Sequence, residues 1–265
     1  MRLIDFIEEK QRVGKLWFTK SEAIQQLKCT ESALQQSIYD LVQKKRLVAI
    51  RGQFVLIIPF DYKNWGVIPA DWFIDPLMRY LELPYYIGLL SAAQQYSAAH
   101  QKPMQLQVIT NQHLRDIKYG RIHIHFIQNH SITQVPTQRI QVQTGYEIVS
   151  TPEATVFDLC KYYKASGYWS NVGTVLAELI ESMDSKKFCQ IARSNIYNDA
   201  VVQRLGFMLS HKDIGGGKLA DGLYKTVKHH NFRWLPLNPG QKNVPIIKDD
   251  KWKILVNEDI EVDII

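Results

Sequence analysis

Residues 18–59 read FTKSEAIQQLKCTESALQQSIYDLVQKKRLVAIRGQFVLIIP, and this stretch decides how the first part of the chain folds. Thr19 or Ser21 is placed to cap a short helix whose Ala23, Ile24 and Leu27 share a face. A short connection over residues 28–31 leads into a second helical pattern over residues 31–45. There Ala33 or Leu34, Ile38, Leu41 and Val42 recur at the spacing that turns one stripe inward, leaving Ser32, Gln35, Gln36 and Tyr39 on the other faces. That outward side is polar but uncharged, which suits the reading of base edges. Residues 47–58 alternate around Arg51 and Gly52, predicting two short strands joined by a tight turn in which glycine takes positive φ.

Helix, turn, helix and basic-tipped hairpin is the layout of a winged helix-turn-helix, whose second helix enters the major groove. On that reading Thr30, Ser32, Gln35, Gln36 and Tyr39 are the candidates for base contact, and Lys44, Lys45, Arg46 and Arg51 for phosphate contact. The same layout also serves protein docking and plain scaffolding. The location of charge favours duplex DNA. Residues 1–58 hold 10 Lys and Arg against 6 Asp and Glu, a surplus of four out of the whole chain's six.

The 265 residues, 46% hydrophobic and 22% charged, suffice for one large domain or two modest ones with real cores. A net charge of +6 predicts moderate, salt-sensitive affinity for an anionic partner. Cys29, Cys160 and Cys189 are far apart and odd in number, with no CxxC pair, which fits a reducing cytoplasm. Gln94, Gln95 and Lys102 interrupt or bound the longest apolar stretch, so no membrane span is expected.

Residues 1–12 read as an opening helix with Leu3, Ile4 and Ile7 on one face. The segment after Pro59 carries Pro69, Pro76 and Pro84 among Trp65, Trp72 and Phe73, too apolar for a free linker. A buried helix is expected from Pro84 to about residue 100. Alternation over residues 106–110, 121–128 and 139–149, the last broken at Thr144 and Gly145, predicts a small, mostly antiparallel sheet. Ser150 and Glu153 have capping-box spacing around Pro152, opening a helix; more helices are expected at 171–183, 185–194 and 199–209, and a strand at 252–256. The expected class is α+β, with a winged helix-turn-helix over 1–60, a packed connector over 61–83 and a larger α+β domain over 84–265.

Catalytic and metal chemistry finds little support. His123 and His125 point the same way on one strand with His130 nearby, but no cysteine or acidic residue of that stretch offers a fourth ligand. The run Gly215 to Lys218 lacks the earlier glycine and the following Ser or Thr of a phosphate loop, and reads as a flexible loop. Asp158 falls in an amphipathic helix, in a solvated or capping role. No enzyme, cofactor or metal is expected; a metal-dependent nuclease is the enzymatic rival. The main alternative is a ligand-sensing transcriptional regulator, whose pocket Tyr85, Tyr86, Trp72 and Phe73 would line.

Four segments together resemble the AbiEi family of bacterial abortive-infection antitoxins: YYIGLLSAAQQYSAAHQKPMQLQVIT (85–110), RIHIHFI (121–127), IVSTPEATVFDLCKYY (148–163) and VQRLGFML (202–209). The resemblance implies a type IV antitoxin with an N-terminal winged helix-turn-helix and a C-terminal domain that carries antitoxicity. It implies repression of its own operon at promoter inverted repeats, and antagonism of a nucleotidyltransferase-type, AbiEii-like toxin without a stable complex. Some members carry Arg where this chain has Ala154, so that arginine's role is not carried over.

Overall fold

Leu3, Phe6 and Ile7 are buried on one side of α1 (Leu3–Arg12), and around them the first part of the chain condenses. β1 (Trp17–Thr19), α2 (Lys20–Leu27), α3 (Glu31–Gln43), β2 (Leu47–Arg51) and β3 (Phe54–Ile57) follow. Phe18, Ala23, Leu34, Ile38, Leu47, Val55 and Ile57 complete this core, with Leu41 and Val42 partly buried against it. Phe6 meets Phe18 edge-on at 5.3 Å, the geometry that aromatic quadrupoles favour. The three strands form a sheet in the order β1-β3-β2. Glu22 ties the helices to the first strand's approach: it accepts from Lys10 and from Lys15, and although burial pushes its carboxyl up, the two ammonium groups hold it below its ordinary value.

The computed structural model describes residues 2–98, 104–241 and 247–263. The chain divides into two units. The first comprises Met1–Tyr86, Met104–His130 and Arg139–Ile148, and the second Ile87–Pro103, Ser131–Gln138 and Val149–Ile265. Residues 1–60 therefore lie in one unit with the connector and with two later segments. That connector is well packed: it holds α4 (Ile74–Tyr80), whose Ile74, Leu77 and Met78 are buried.

The main sheet differs from expectation. β4 (Tyr85–Ile87) precedes α5 (Leu89–Gln95), so the helix expected from Pro84 begins only after Gly88; its expected end at residues 99 and 100 lies outside the described residues. Two aromatics and a β-branched residue, all buried, fit a central strand better than a helix face. β5 (Leu106–Thr110), β6 (Ile117–Tyr119), β7 (Ile122–Gln128), β8 (Thr137–Val142) and β9 (Gly145–Ser150) join β4 in the order β6-β7-β5-β4-β9-β8. The sheet is thus six-stranded, not small, and mixed rather than mostly antiparallel: β5 pairs with β7 and β4 with β9 in parallel, while β6 pairs with β7 antiparallel.

In the second unit the sequence STPE starts α6 (Pro152–Lys161) by a different device from the one expected. Thr151, not Ser150, is the cap and accepts from the Ala154 amide at 3.3 Å. Ser150 instead meets the Thr155 hydroxyl at 2.7 Å, and Glu153 accepts from the Asp184 amide at 2.8 Å, holding the start of α8 (Ser185–Arg193). Between α6 and α8 lies α7 (Tyr168–Leu179), and α9 (Asp199–Ser210) and α10 (Gly217–Val227) follow. The last takes in Gly217 and Lys218, the second half of the run expected to be a loop, while Gly215 and Gly216 lie before it; Ala220, Leu223 and Val227 give it a buried face. β10 (Leu235–Pro236), β11 (Ile247–Asp249) and β12 (Ile254–Val256) form a final small sheet in the order β10-β12-β11.

α9 holds that sheet. Gln203 donates to the Trp252 carbonyl at 2.7 Å and to the Arg233 carbonyl at 2.9 Å, while Arg204 donates to the carbonyls of Pro236 and Leu237. Trp252 is fully buried, donates from its indole to Ser210 at 3.0 Å, and lies against Gly206. A methyl group on Gly206 would sit 2.4 Å from the Trp252 ring. Gly206→Ala should therefore cost about 1–3 kcal/mol through overpacking, read as a lower thermal midpoint; an unchanged melt would contradict this packing.

Candidate nucleic-acid interface

α3 is a helix with one face committed and one face free. Thr30 caps it, its hydroxyl accepting from the Ala33 amide at 3.3 Å. Leu34 and Ile38 are buried, so Ser32, Gln35, Gln36 and Tyr39 emerge exposed, Tyr39 to 58%. The first turn's capping hydroxyl is thus partly spent on the backbone. Gln35 accepts from the Lys20 ammonium at 3.2 Å, and Gln36 donates to Asp40 at 3.0 Å. Both contacts are on the surface, where exchanging them for other partners costs little.

The cations expected on phosphates fall into two groups. Lys44 closes α3 and Lys45 follows it, both exposed, with Arg46 half-buried beside them. Lys45 takes φ 53°, a left-handed conformation that glycine would adopt at less cost. Amides of Lys45 and Arg46 donate back to the carbonyls of Val42 and Leu41, both at 2.9 Å, which fixes where this basic turn leaves the helix. Arg51 is placed differently. It is half-buried at the end of β2, donates to the Arg115 carbonyl, and lies 5.5 Å from the centre of the Phe126 ring. Burial lowers the guanidinium below its ordinary value, but a group that basic keeps its charge.

The hairpin tip is held too. Gly52 has φ 57°, as its turn requires, and the Gln53 amide donates to the Tyr80 hydroxyl at 3.1 Å. Ser21 donates to Gln53 from the other side. The turn that the alternating pattern predicted is present, and it is fastened to α2 and α4 rather than standing free. Sequence reasoning had no means of finding Tyr80 or Arg115, which are 27 and 64 residues away along the chain.

The other chemical candidates resolve into local structure. His125 lies 3.0 Å and His123 3.5 Å from one carboxylate oxygen of Asp116, so an acidic residue does face the pair, although the sequence near them offered none. Among the described residues no group of three or more His, Cys, Asp or Glu side chains is arranged to hold a metal ion. Asp158, expected to be solvated, is fully buried and accepts from the Tyr197 hydroxyl at 2.9 Å. His230 pairs with Asp199 at 2.6 Å. Of the four aromatic residues expected to line a pocket, Tyr85, Tyr86 and Phe73 are buried in the core. Trp72 alone of them lines an open groove of about 650 Å³, together with Trp17, Asp71, Asp75, Arg79, Tyr80 and Tyr146.

Close to that groove the first unit carries an unusual carboxyl group. Glu147, between Tyr146 and Ile148 on β9, has no solvent exposure, and burial, then the charge of Asp71, pushes it up to about 8. An unfolded chain would titrate this group near about 4.3. Between those values the folded chain keeps a proton that the unfolded chain has released, so this group makes stability fall as pH rises through the window. Urea midpoints of the wild-type chain should decline from about pH 5 to about pH 8 more steeply than those of Glu147→Gln; parallel profiles would refute the assignment.

Compared with known proteins, residues 86–211 match the AbiEi antitoxin C-terminal domain. No curated protein matches the chain. Among solved structures the chain is similar to the crystal structure of RV2827C protein from Mycobacterium tuberculosis, at 15% identity and a TM-score of 0.66. That alignment covers 94% of this chain and 89% of the other, and at such identity the likeness concerns the fold. No helix among the described residues is long and apolar enough to cross a membrane.

Proposed function

We propose that this chain, which belongs to the AbiEi family of antitoxins in toxin–antitoxin systems, is a type IV antitoxin that also represses its own operon. Residues 1–60 act as a winged helix-turn-helix that reads inverted repeats in the promoter. Residues 84–265 counter a nucleotidyltransferase-type toxin in the cytoplasm without holding it in a stable complex. The observation that carries the DNA-reading half is α3: it buries Leu34 and Ile38, exposes the uncharged Ser32, Gln35, Gln36 and Tyr39, and ends in Lys44 and Lys45. Amide side chains match the donor and acceptor edge of adenine in the major groove, and lysines at a helix end match the flanking phosphates. Thr30, Arg46 and Arg51 complete the proposed contact set, Arg51 being the least available because its guanidinium already serves Arg115 and Phe126.

Binding of the full chain to the duplex upstream of its own gene should weaken steeply with salt, with a log–log slope of about 0.9 per neutralised phosphate. Replacing Gln35 or Gln36 by Ala should narrow the gap between promoter and scrambled duplex by about 1–3 kcal/mol for each bidentate hydrogen-bond pair to a base that is removed. Equal weakening on both duplexes would overturn the assignment of α3 as the reading helix.

A second reading, a ligand-sensing regulator, would place its ligand in the open groove beside Trp72. Co-expression with the adjacent gene separates the two. Rescue from a growth-arresting neighbour is the outcome expected of the antitoxin; a harmless neighbour would favour the sensor.

A further inference from the structure

The hairpin's arginine is turned to its own unit, which leaves the far end of α3 to be served by other cations. Lys45, just past that end, lies against the turn at Gly66: a methyl group built there would meet Lys45 Cδ at 3.8 Å. The neighbouring Trp65 is 56% exposed, and the Arg121 guanidinium lies 5.2 Å from the centre of its ring. Gly120, next to Arg121 in the turn between β6 and β7, packs at 4.0 Å from Val67 on the same measure. A continuous surface within the first unit therefore runs from Lys44 and Lys45 through residues 63–66 to Arg121. Lys63 is exposed on it, and the loop's one exposed carboxylate is Asp61. Among the described residues, Lys44, Lys45, Lys63 and Arg121 enter no ion pair, whereas Lys10, Lys15 and Arg79 are each matched by a carboxylate. Cations left unmatched beside an exposed indole are what a phosphate backbone requires.

A helix of 13 residues is about 20 Å long, so when it lies in the major groove its two ends approach the strands that wall the groove. The cations past the end of α3 then face one wall. We infer that the duplex-binding surface extends beyond residues 1–60, with Lys63 and Arg121 contacting the DNA backbone past the C-terminal end of α3 and Trp65 orienting Arg121 from beneath. The inference rests on the reading of α3 as a DNA-contacting helix. It adds a partner surface that the helix-turn-helix pattern does not contain, contributed in part by a segment about 75 residues further along the chain.

The test is fluorescence anisotropy of the full chain on its promoter duplex and on a scrambled duplex of equal length, over a series of salt concentrations. Lys63→Ala with Arg121→Ala should make the log–log salt slope shallower by the equivalent of about two phosphates, that is about 1.8, on both duplexes alike, with promoter preference retained. Both residues are exposed, so the melting curve should not move; Arg121→Gln alone, which keeps the planar group over Trp65, should make the slope shallower by about 0.9. Unchanged slopes in variants of a chain that does bind its promoter would overturn this inference and leave the reading of α3 intact. A wild-type chain that binds neither duplex would overturn both. Weaker binding to a structured RNA with duplex binding unaffected would also overturn it, identifying RNA as this surface's partner.

Discussion

The exposed face of α3, on which the proposed interface depends, follows from the burial of two side chains of that helix. Leu34 and Ile38 each contribute about 1.5–3 kcal/mol when removed from water, and they fix the rotation of the helix about its axis. Once that rotation is set, Ser32, Gln35, Gln36 and Tyr39 have nowhere to point but outward. The capping hydroxyl of Thr30 fixes where the helix begins, and the left-handed turn at Lys45 fixes where the chain leaves it. A surface with amides along its length and ammonium groups at its end is thus a by-product of core packing, not of any ion pair.

The apolar stripe of α3, the turn at Gly52 and the strand over Leu106–Thr110 were all legible, because each is written in a local period or a single permissive residue. What escaped the sequence is either too short or unpatterned to show a period, or long-range. β1 is three residues and has no period to detect. β4 falls where the sequence predicts a helix, because a run of buried residues bounded by Pro84 and Gly88 carries no period of either kind. α10 was hidden by Gly215, Gly216 and Gly217, which break the pattern before Ala220, Leu223 and Val227 establish it. Parallel pairing of β5 with β7 leaves no local trace, since alternation predicts a strand but not its neighbour. Of the candidate site, the α3 residues were accessible to pattern reading, whereas the inward turn of Arg51 toward Arg115 and the approach of Arg121 to Trp65 depend on contacts between distant segments.

Two of the segments that carry the family resemblance turn out to be scaffolding. In STPEAT, Thr151 caps α6, Glu153 secures the Asp184 amide and Thr155 closes a hydroxyl pair with Ser150. In VQRLGFML, Gln203 and Arg204 hold the last small sheet through backbone carbonyls and Gly206 admits Trp252. These residues are recognisable because buried polar groups must be satisfied and close approaches tolerate few substitutes. They specify a fold, and the residues of the proposed antitoxin activity have to be sought on the surface that this scaffold presents.

The most direct measurement of the central claim is site-specific photo-crosslinking from the full chain to its own promoter duplex, with the cross-linker at position 35 and, as a control, at the exposed position 186 in the second unit. Adducts are expected on bases inside the inverted repeats from position 35, and none from position 186. Adducts absent from position 35, or spread over the duplex without regard to the repeats, would contradict that claim.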